Sequence, residues 1–359
     1  MRTASVVLSL VLAGCAVAPS ASPSPTSSAT PVPASASVMP TASATEAPSP
    51  TATEIAWQRL EVAGPAARED HTWTVNGRGT TAYLFGGRAA DGTAFSDLWA
   101  FDLATDAWRR LEVAGPPARF GHNAVWVDGM GLVVFAGQSP AGFFDDLWLF
   151  EPAAERWRQL PGDGARPLAR YGSCAALSSD GRLWISHGFT SDGSRFSDTR
   201  TYDFTTLRWQ DVTPDSERPV ERCLHACWWT DDGRLALYGG QTTGVPALGD
   251  LWLLDAAEPR WQEVTLDRGP DARQLYASAR WGAGTVVVGG GTLDGNYLAD
   301  GWLIADDGSA RPLDTGDGPA PRSGAELIPD PERQRLLLFG GRDGGGAFDD
   351  TWSLELPDG

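Results

Sequence analysis

An arginine recurs about every fifty residues in this chain, from residue 68 to residue 322. A guanidinium holds a carboxylate through two parallel hydrogen bonds, so a ring of these arginines could bind a carboxylate ligand or an acidic sugar. An aspartate recurs at the same interval, and pairing between the two would instead make each arginine structural. Repetition at one position favours the structural alternative. The six arginines are Arg68, Arg119, Arg170, Arg222, Arg273 and Arg322.

Two other arginines follow a glycine pair in only two of the repeated units. Arg88 and Arg342 occupy this position, whereas we assign Phe189 and Thr292 to it in two other units. We expect these positions of all units to surround one opening, which we call the mouth. One side of the mouth would then be cationic, as a site for a single acidic group requires. Because loop residues contribute little to a fold, we expect alanine at both arginines to change stability by no more than about 0.5 kcal/mol. The candidate ligand-binding residues are Arg88, Arg342, Gln138, Gln241, Arg68, Arg119 and Arg322.

Three of the four histidines follow the repeated arginine by three residues, at His71, His122 and His225. Three imidazoles near one axis could hold a metal ion. Side chains of such strands point toward neighbouring units more than toward the axis, so we expect no metal site and no cofactor. The remaining histidine, His187, replaces a glycine of one pair and is expected to be structural.

Three cysteines lie in the repeated region, and the sequence leaves their pairing open. Cys223 and Cys227 are on one predicted strand, which separates them by roughly 13 Å at ~3.3 Å per residue. They cannot bridge each other without breaking the strand. Cys174, on a neighbouring strand, either pairs with one of them, or all three are buried thiols.

These residues belong to a unit of about fifty residues that occurs six times between residue 55 and the end of the chain. Four short strand patterns at such a period are typical of a propeller blade, and the first unit shows them at 71–75, 80–85, 97–102 and 107–113. We expect two recurring tryptophans to fill the space between neighbouring blades. They are Trp99, Trp148, Trp252, Trp302 and Trp352 at the first position, and Trp57, Trp108, Trp157, Trp209 and Trp261 at the second.

The ends of the repeated region predict how the ring closes. The last unit stops at TWSLELPDG without a fourth strand, and an unpaired fourth strand, IAWQRLEV at 55–62, precedes the first unit. Trp57 in that strand stands at the same position of the unit as Trp108. We therefore predict that the amino-terminal strand completes the sixth blade, which leaves only short protected edges.

The glycine pair, the aromatic strand and the terminal tryptophan resemble the kelch repeat over residues 55–359. The resemblance implies an all-β fold, a six-bladed β-propeller of four-stranded blades. Kelch propellers include galactose oxidase-like copper enzymes, which need tyrosine and histidine ligands with a Tyr–Cys cofactor, and a sialic acid mutarotase. We favour a binding module without catalysis, whose ligand is a protein or a glycan at the loop-bearing face. The alternative is an extracytoplasmic sugar-active enzyme of one of these two kinds.

The first 54 residues are not part of the repeat. Residues 1–14 place a basic residue before an apolar run, as a secretory signal peptide does. The sequence LAGC, which ends at Cys15, resembles a bacterial lipobox, in which the cysteine carries the lipid. Residues 15–54, rich in Ala, Ser, Thr and Pro, cannot bury enough apolar surface to fold and are predicted to be a disordered tether. We expect an extracytoplasmic, membrane-anchored lipoprotein, at the cell surface or on the periplasmic side of an outer membrane.

Charge and composition exclude several classes of function. The formal net charge is −18, which argues against nucleic acid or an anionic membrane surface as the partner. All 28 basic residues are arginine, so a Schiff-base enzyme and a Walker-type phosphate loop, which both need a lysine amine, are excluded. Hydrophobic residues make up 42% of the chain, enough for a sizeable core, and we expect a monomer.

Overall fold

The computed structural model describes residues 55–356, which form a propeller of six antiparallel blades. The all-β six-bladed fold predicted from the repeat is confirmed. The predicted signal peptide (1–14), the predicted tether (15–54) and Cys15 lie outside the described residues. Between residues 55 and 356, no helix has the length and apolar character needed to cross a membrane.

The strands of the first three blades follow the repeated unit, with the innermost strand first. β1 (Trp57–Leu60) precedes the first blade. Blade 1 contains β2 (Thr72–Val75), β3 (Thr81–Phe85), β4 (Leu98–Asp102) and β5 (Ala107–Leu111). Blade 2 contains β6 (Asn123–Val127), β7 (Gly131–Phe135), the small hairpin β8 (Gln138–Ser139) and β9 (Gly142–Phe143), β10 (Leu147–Glu151), a 3-10 helix (Pro152–Ala154) and β11 (Arg156–Leu160). Blade 3 contains β12 (Asp163–Gly164), β13 (Cys174–Leu177), β14 (Arg182–Ser186), β15 (Thr199–Asp203) and β16 (Arg208–Asp211), and β12 runs parallel to β16 as a fifth strand.

The last three blades repeat this order. Blade 4 contains β17 (Ala226–Trp229), β18 (Arg234–Tyr238), β19 (Leu251–Asp255) and β20 (Arg260–Val264). Blade 5 contains β21 (Ala277–Trp281), β22 (Gly284–Gly291), β23 (Tyr297–Ala305) and β24 (Ala310–Leu313). Blade 6 contains β25 (Ser323–Asp330), a 3-10 helix (Pro331–Arg333), β26 (Arg335–Arg342) and β27 (Thr351–Glu355).

The second strand of each blade lies between neighbouring blades, which explains its continuous apolar sequence. All five residues of β7 are buried, and β3 and β18 are buried except at their first residues. The outermost strands differ, since three of the five residues of β5 are exposed. A strand covered on both faces needs apolar residues throughout, whereas one with a solvent-facing side does not.

β1 completes the sixth blade, as the sequence predicts. It pairs antiparallel with β27, so that Trp57 lies opposite Leu354 and Leu60 opposite Thr351. Trp57 is only 7% exposed and belongs to a core cluster that includes Leu354 and Leu313, the latter from blade 5. A Cβ at Gly318 would lie 2.4 Å from Trp57 Cδ1, so the indole packs directly against the link between these blades.

The second tryptophan of the unit packs against the preceding blade, which confirms its predicted place between blades. The ring of Trp157 lies 5.2 Å from that of Phe85 in blade 1, and the ring of Trp209 lies 5.0 Å from that of Phe135 in blade 2. Aromatic contacts at these separations add to the free energy gained by burying the rings. They join blades that are otherwise separate sheets.

A closed ring of backbone hydrogen bonds surrounds the propeller axis just before the inner strands begin. Each residue of the ring donates its N–H to the carbonyl of its counterpart in the preceding blade, at 2.7–3.1 Å. All six have φ between 51° and 66°, the left-handed region that leucine and aspartate rarely adopt. The ring therefore narrows the channel at one end. Its members are Asp70, Gly121, Gly172, Leu224, Leu275 and Gly324.

Candidate binding face

The segments between second and third strands lie beside the links between blades, and together they form one side of the propeller. In blade 1 the backbone of Glu69, in a link, exchanges two hydrogen bonds with Arg88, at 3.0 and 2.9 Å. The pair of Phe120 and Gln138 repeats this exchange in blade 2. We call this side the loop face. It comprises residues 61–71, 86–97, 112–122, 136–146, 161–173, 187–198, 212–225, 239–250, 265–276, 291–296, 314–322 and 342–350.

The repeated arginines are buried in ion pairs with the repeated aspartates. In blade 1, Arg68 Nη1 and Nη2 donate to the two carboxylate oxygens of Asp97 at 2.7 and 2.9 Å. Arg68 also donates to the carbonyls of Ala66 and Gly86, and its guanidinium lies 4.2 Å from the ring centre of Phe95. The equivalent pairs are Arg119–Asp146, Arg170–Asp198, Arg222–Asp250, Arg273–Asp300 and Arg322–Asp350.

This placement favours the structural alternative for three of the candidate ligand residues. Arg68 and Arg119 are fully buried and Arg322 is 3% exposed, so their guanidinium groups do not face the mouth. A bidentate pair that also donates to two backbone carbonyls fixes the loop against the inner strand. These arginines hold the loop face in place.

The first tryptophan of the unit is a partner of the same aspartate, which the sequence pattern did not reveal. Trp99 Nε1 donates to Asp97 Oδ2 at 2.7 Å, and the equivalent tryptophans of blades 2, 4, 5 and 6 do the same at 2.7–2.8 Å. In blade 3, Arg200 replaces the tryptophan and donates Nε to Asp198 at 3.0 Å. Burial opposes ionisation, but the hydrogen bonds and charge of Arg68 leave the pKa of Asp97 below its usual value.

Arg88 and Arg342 come together at the junction of the first and sixth blades. Arg88 Nε and Arg342 Nη1 both bind Glu69 Oε1, at 3.0 and 3.1 Å. Arg88 Nη2 also lies 3.1 Å from Asp70 Oδ2, which accepts a 2.8 Å hydrogen bond from the Tyr171 hydroxyl. The two arginines, Glu69, Asp70 and Tyr171 form what we call the mouth cluster. Two carboxylates balance its two guanidinium charges.

In the mouth cluster the carboxylates are buried and the two guanidinium groups are partly exposed. Glu69 is 1% exposed, whereas the side chains of Arg88 and Arg342 are 28% and 35% exposed. Burial and the neighbouring Asp70 raise the pKa of Glu69 to about 7, against the lowering effect of the two arginines. Removal of both arginines would leave the buried Glu69 and Asp70 without cationic partners, so the structure predicts a loss of stability where the sequence predicts neutral substitutions.

The other predicted mouth residues differ from blade to blade. The backbone of Gln241 pairs with Cys223, and its amide Nε2 lies 3.6 Å from Cys223 Sγ. In blade 5 the hydrogen-bonded glycine pair ends at Gly290, since Gly290 donates to the Arg322 carbonyl as Gly87 donates to that of Arg119. The residue equivalent to Arg88 in blade 5 is therefore Gly291, and the assignment of Thr292 is wrong by one residue.

Exposed apolar side chains lie on the part of the loop face formed by blades 3 to 5. The exposed fractions are 67% for Leu168, 50% for Val220, 39% for Val245 and 51% for Leu293. Scattered apolar residues on a surface are ordinary, but these four share one face of the molecule. The sequence pattern did not single them out, because the chemistry considered there rests on polar and ionisable residues.

Two of these apolar residues stand where the repeat itself does not require them. Leu168 and Val220 precede the repeated arginine by two residues, where their carbonyls accept its Nε–H. Ala66 and Ala320 occupy the same position in blades 1 and 6 and accept the same hydrogen bond. Since any residue supplies this carbonyl, the large side chains at 168 and 220 are available for another role. This departure from the repeat was visible in the sequence.

The histidines are buried between blades and uncharged at neutral pH. His122 Nε2 lies 2.9 Å from the Thr72 hydroxyl, and burial lowers its pKa to about 3. Burial also lowers the pKa of His71 and His225 well below the usual value. Within residues 55–356, no group of three or more His, Cys, Asp or Glu side chains is arranged to hold a metal ion.

The structure selects one of the cysteine pairings that the sequence left open. Cys174 and Cys227 form a disulfide with their Cα atoms 5.6 Å apart, and Cys223 is a buried free thiol. Cys174 begins the inner strand of blade 3, and Cys227 lies in the inner strand of blade 4. The disulfide therefore crosslinks two neighbouring blades.

The chain matches the family model described as the KLHDC2/KLHL20/DRC7 Kelch-repeats domain over residues 51–240. It is 27% identical to Adagio-like protein 3 of rice, over 72% of this chain and 43% of the relative, and 25% identical to Adagio protein 3 of Arabidopsis thaliana, over 72% and 44%. An F-box/kelch-repeat protein of Arabidopsis thaliana is 26% identical, over 58% of this chain and 48% of that protein. The chain thus spans less than half the length of these relatives. The family match and the six four-stranded blades together establish that the chain belongs to the kelch-repeat family.

Proposed function

We propose that this kelch propeller is a protein-interaction module that binds its partner with the loop face. The observation that carries this proposal is the exposure of Leu168, Val220, Val245 and Leu293 on one side of the molecule. Protein interfaces have an apolar centre surrounded by polar groups, with arginine among the enriched residues. Arg88 and Arg342, on blades 1 and 6, supply such groups across the ring.

The relatives support the same interpretation. In each of the three relatives named above, the matched region is less than half of a longer protein, and one of them is named for an F-box as well as its kelch repeats. A kelch propeller that accompanies other segments fits a module that recognises another protein. An acidic side chain of the partner would lie over Arg88 and Arg342.

Alanine at Leu168 and Val220 tests this surface. The immobilised full chain would be used to capture proteins from the envelope fraction, and the captured protein would be purified for affinity measurement. Because Ala66 and Ala320 serve at the equivalent positions, the L168A/V220A variant should fold normally. We expect it to bind the partner about tenfold or more weakly, which corresponds to about 1.4 kcal/mol.

The matched control is R109A/R110A, which alters two exposed arginines on the outer strand β5. This variant should bind like the wild type. Equal binding by L168A/V220A and the wild type would contradict the proposal, and a hit on a glycan array without a captured protein would favour a carbohydrate ligand instead.

We further propose that the propeller is displayed outside the cytoplasm on a lipid anchor at Cys15. The LAGC sequence motivates this proposal, and the Cys174–Cys227 disulfide supports an oxidising location because such bonds are rare in the cytosol. Wild-type protein should incorporate labelled fatty acid and sediment with membranes, whereas Cys15→Ser should do neither. A wild type that takes up no label would contradict the lipoprotein proposal.

A further inference from the structure

The six inner strands surround a cavity of about 460 Å³ on the propeller axis. It extends from the backbone ring at Asp70 along the inner strands to Val75 in β2 and Pro329 in β25. The residues that line it include neither arginine nor lysine. The backbone ring lies at the end of this cavity that is nearer the loop face.

Asp70 presents an unpartnered carboxylate oxygen at the narrow end of this cavity. The residue is 6% exposed, and Oδ1 has no hydrogen-bond partner, while Oδ2 is bound by Tyr171 and Arg88. Gly324 leaves the space beside it open, since a Cβ there would lie 2.8 Å from Oδ1. A buried carboxylate oxygen without a donor is costly, and a ligand that donates a hydrogen bond would remove that cost.

Glu326 supplies a second carboxylate from the sixth blade. It is the fourth residue of β25 and lines the same cavity as Asp70. Burial and the negative charge of Asp70 raise the pKa of Glu326 to about 8, and no basic group or hydrogen bond offsets these two effects. Two carboxylates thus line the axial cavity: Asp70, whose other oxygen is paired with Arg88, and Glu326, which has no basic partner among the lining residues.

We propose that the axial cavity binds a small organic cation, an ammonium or guanidinium compound, whose charged end lies against Asp70 and Glu326. The volume is within the range of small-molecule sites. A metal ion fits less well, because the described residues offer no cluster of three or more metal-ligating side chains. Thr72 and Asn123 also line the cavity and add neutral polar groups to its wall.

Glu326 is the lining group whose pKa, at about 8, lies between pH 6 and 9. The histidines have pKa values lowered by burial, and the tyrosines have pKa values raised by burial, so both types are neutral throughout this range. A cation binds best when Glu326 is ionised, so its affinity should rise with pH and level off above about 8. The titratable lining residues are Asp70, Glu326, His71, His122, His225, Tyr171 and Tyr276.

Calorimetry on the full chain with methylguanidinium chloride tests the proposal, and methylurea serves as an uncharged probe of the same shape. We expect methylguanidinium to bind, and methylurea to bind at least about tenfold more weakly. Glu326→Gln should weaken methylguanidinium binding by about tenfold or more and remove its pH dependence. Glu332→Gln removes an exposed carboxylate from the same blade and should leave binding unchanged.

The pH dependence of methylguanidinium binding to the wild type needs no variant. It therefore tests the proposal even if Glu326→Gln folds poorly. An affinity that is flat between pH 6 and 9 would overturn the proposal. So would equal binding of the two probes, equal binding by Glu326→Gln and wild type, or no binding of methylguanidinium at millimolar concentration.

Discussion

Glu69 forms ion pairs with two arginines, one from the first blade and one from the sixth. Arg88 follows β3 in blade 1, and Arg342 ends β26 in blade 6, yet both bind Oε1 of this one carboxylate. The arginines are partly exposed and the carboxylate is buried. The same partly exposed guanidinium groups therefore keep a buried negative charge satisfied.

Alanine at both arginines should destabilise the protein. Glu69 and Asp70 would remain buried without their cationic partners, and loss of one side of a buried pair typically costs about 3–5 kcal/mol. Urea denaturation of R88A/R342A should show a decrease of this size. The control R109A/R110A should stay within about 0.5 kcal/mol of the wild type. If R88A/R342A unfolds at the same urea concentration as the wild type, Glu69 is not held by these arginines.

Glu326 should make stability fall as the pH rises. Its pKa is about 8 in the folded protein and near 4.5 in the unfolded chain, so unfolding releases a proton between these values. The free energy of unfolding should therefore decrease from about pH 5 to pH 8, and Glu69, with a pKa raised to about 7, adds to the decrease. Glu326→Gln should flatten the profile measured by urea denaturation, and Glu332→Gln should not. Parallel profiles for wild type and Glu326→Gln would contradict the assignment.

The contribution of each strand to the stability of the propeller depends on how much of the strand is buried between blades. A second strand is covered on both sides by neighbouring blades, whereas an outer strand such as β5 leaves one side to solvent. β1 is an outer strand, but its Trp57 reaches between blades 5 and 6. Four residues near the beginning of the described chain thus support the ring at its junction.

Trp57→Ala should destabilise the propeller about as much as Trp108→Ala. Both indoles pack between blades, and truncation of a buried large aromatic typically costs about 3–5 kcal/mol. Gln58→Ala is the matched control, because Gln58 is exposed on the same strand. Thermal and urea denaturation provide the measurement. A Trp57→Ala protein that melts like the wild type would show that β1 does not hold the ring closed.

Contacts of several kinds join neighbouring blades, among them side-chain hydrogen bonds such as that of Thr72 with His122. Aromatic packing joins their faces, the six backbone hydrogen bonds join them at the axis, and one disulfide crosslinks blades 3 and 4. Each blade is a separate sheet, so these contacts are what turn six local structures into one cooperative unit.

Reduction of the disulfide should lower the free energy of unfolding by about 4 kcal/mol, the chain-entropy value for a bridge that closes about 53 residues. Urea denaturation with and without dithiothreitol measures this difference. Cys227→Ala should show no effect of the reductant, whereas Cys223→Ala should respond like the wild type because Cys223 is outside the bridge. A reductant effect lost in Cys223→Ala and kept in Cys227→Ala would contradict the observed pairing.

The repeat was sufficient to predict the blades and their closure. The glycine pairs, the strand-opening aspartates and the tryptophans recur at one period, and burial of alternating or continuous apolar residues is a local property that a sequence displays directly. Trp57 could be assigned to the sixth blade because its position in the unit matches that of Trp108. The assignment of Thr292 in place of Gly291 was wrong by one residue because blade 5 has three consecutive glycines. The sequence does not show which two of them form the hydrogen-bonded pair.

The site depended on contacts between residues that are far apart in the chain. Three features follow from how neighbouring blades face each other. Arg88 and Arg342 share Glu69, and Asp70 keeps an unpartnered oxygen. Cys174 pairs with Cys227 and not with Cys223. A sequence period places residues along a blade, but it does not say which side chains of two twisted sheets meet. Burial and charge pairing depend on these contacts between blades. The tertiary structure alone therefore determines which arginines are buried and which are exposed.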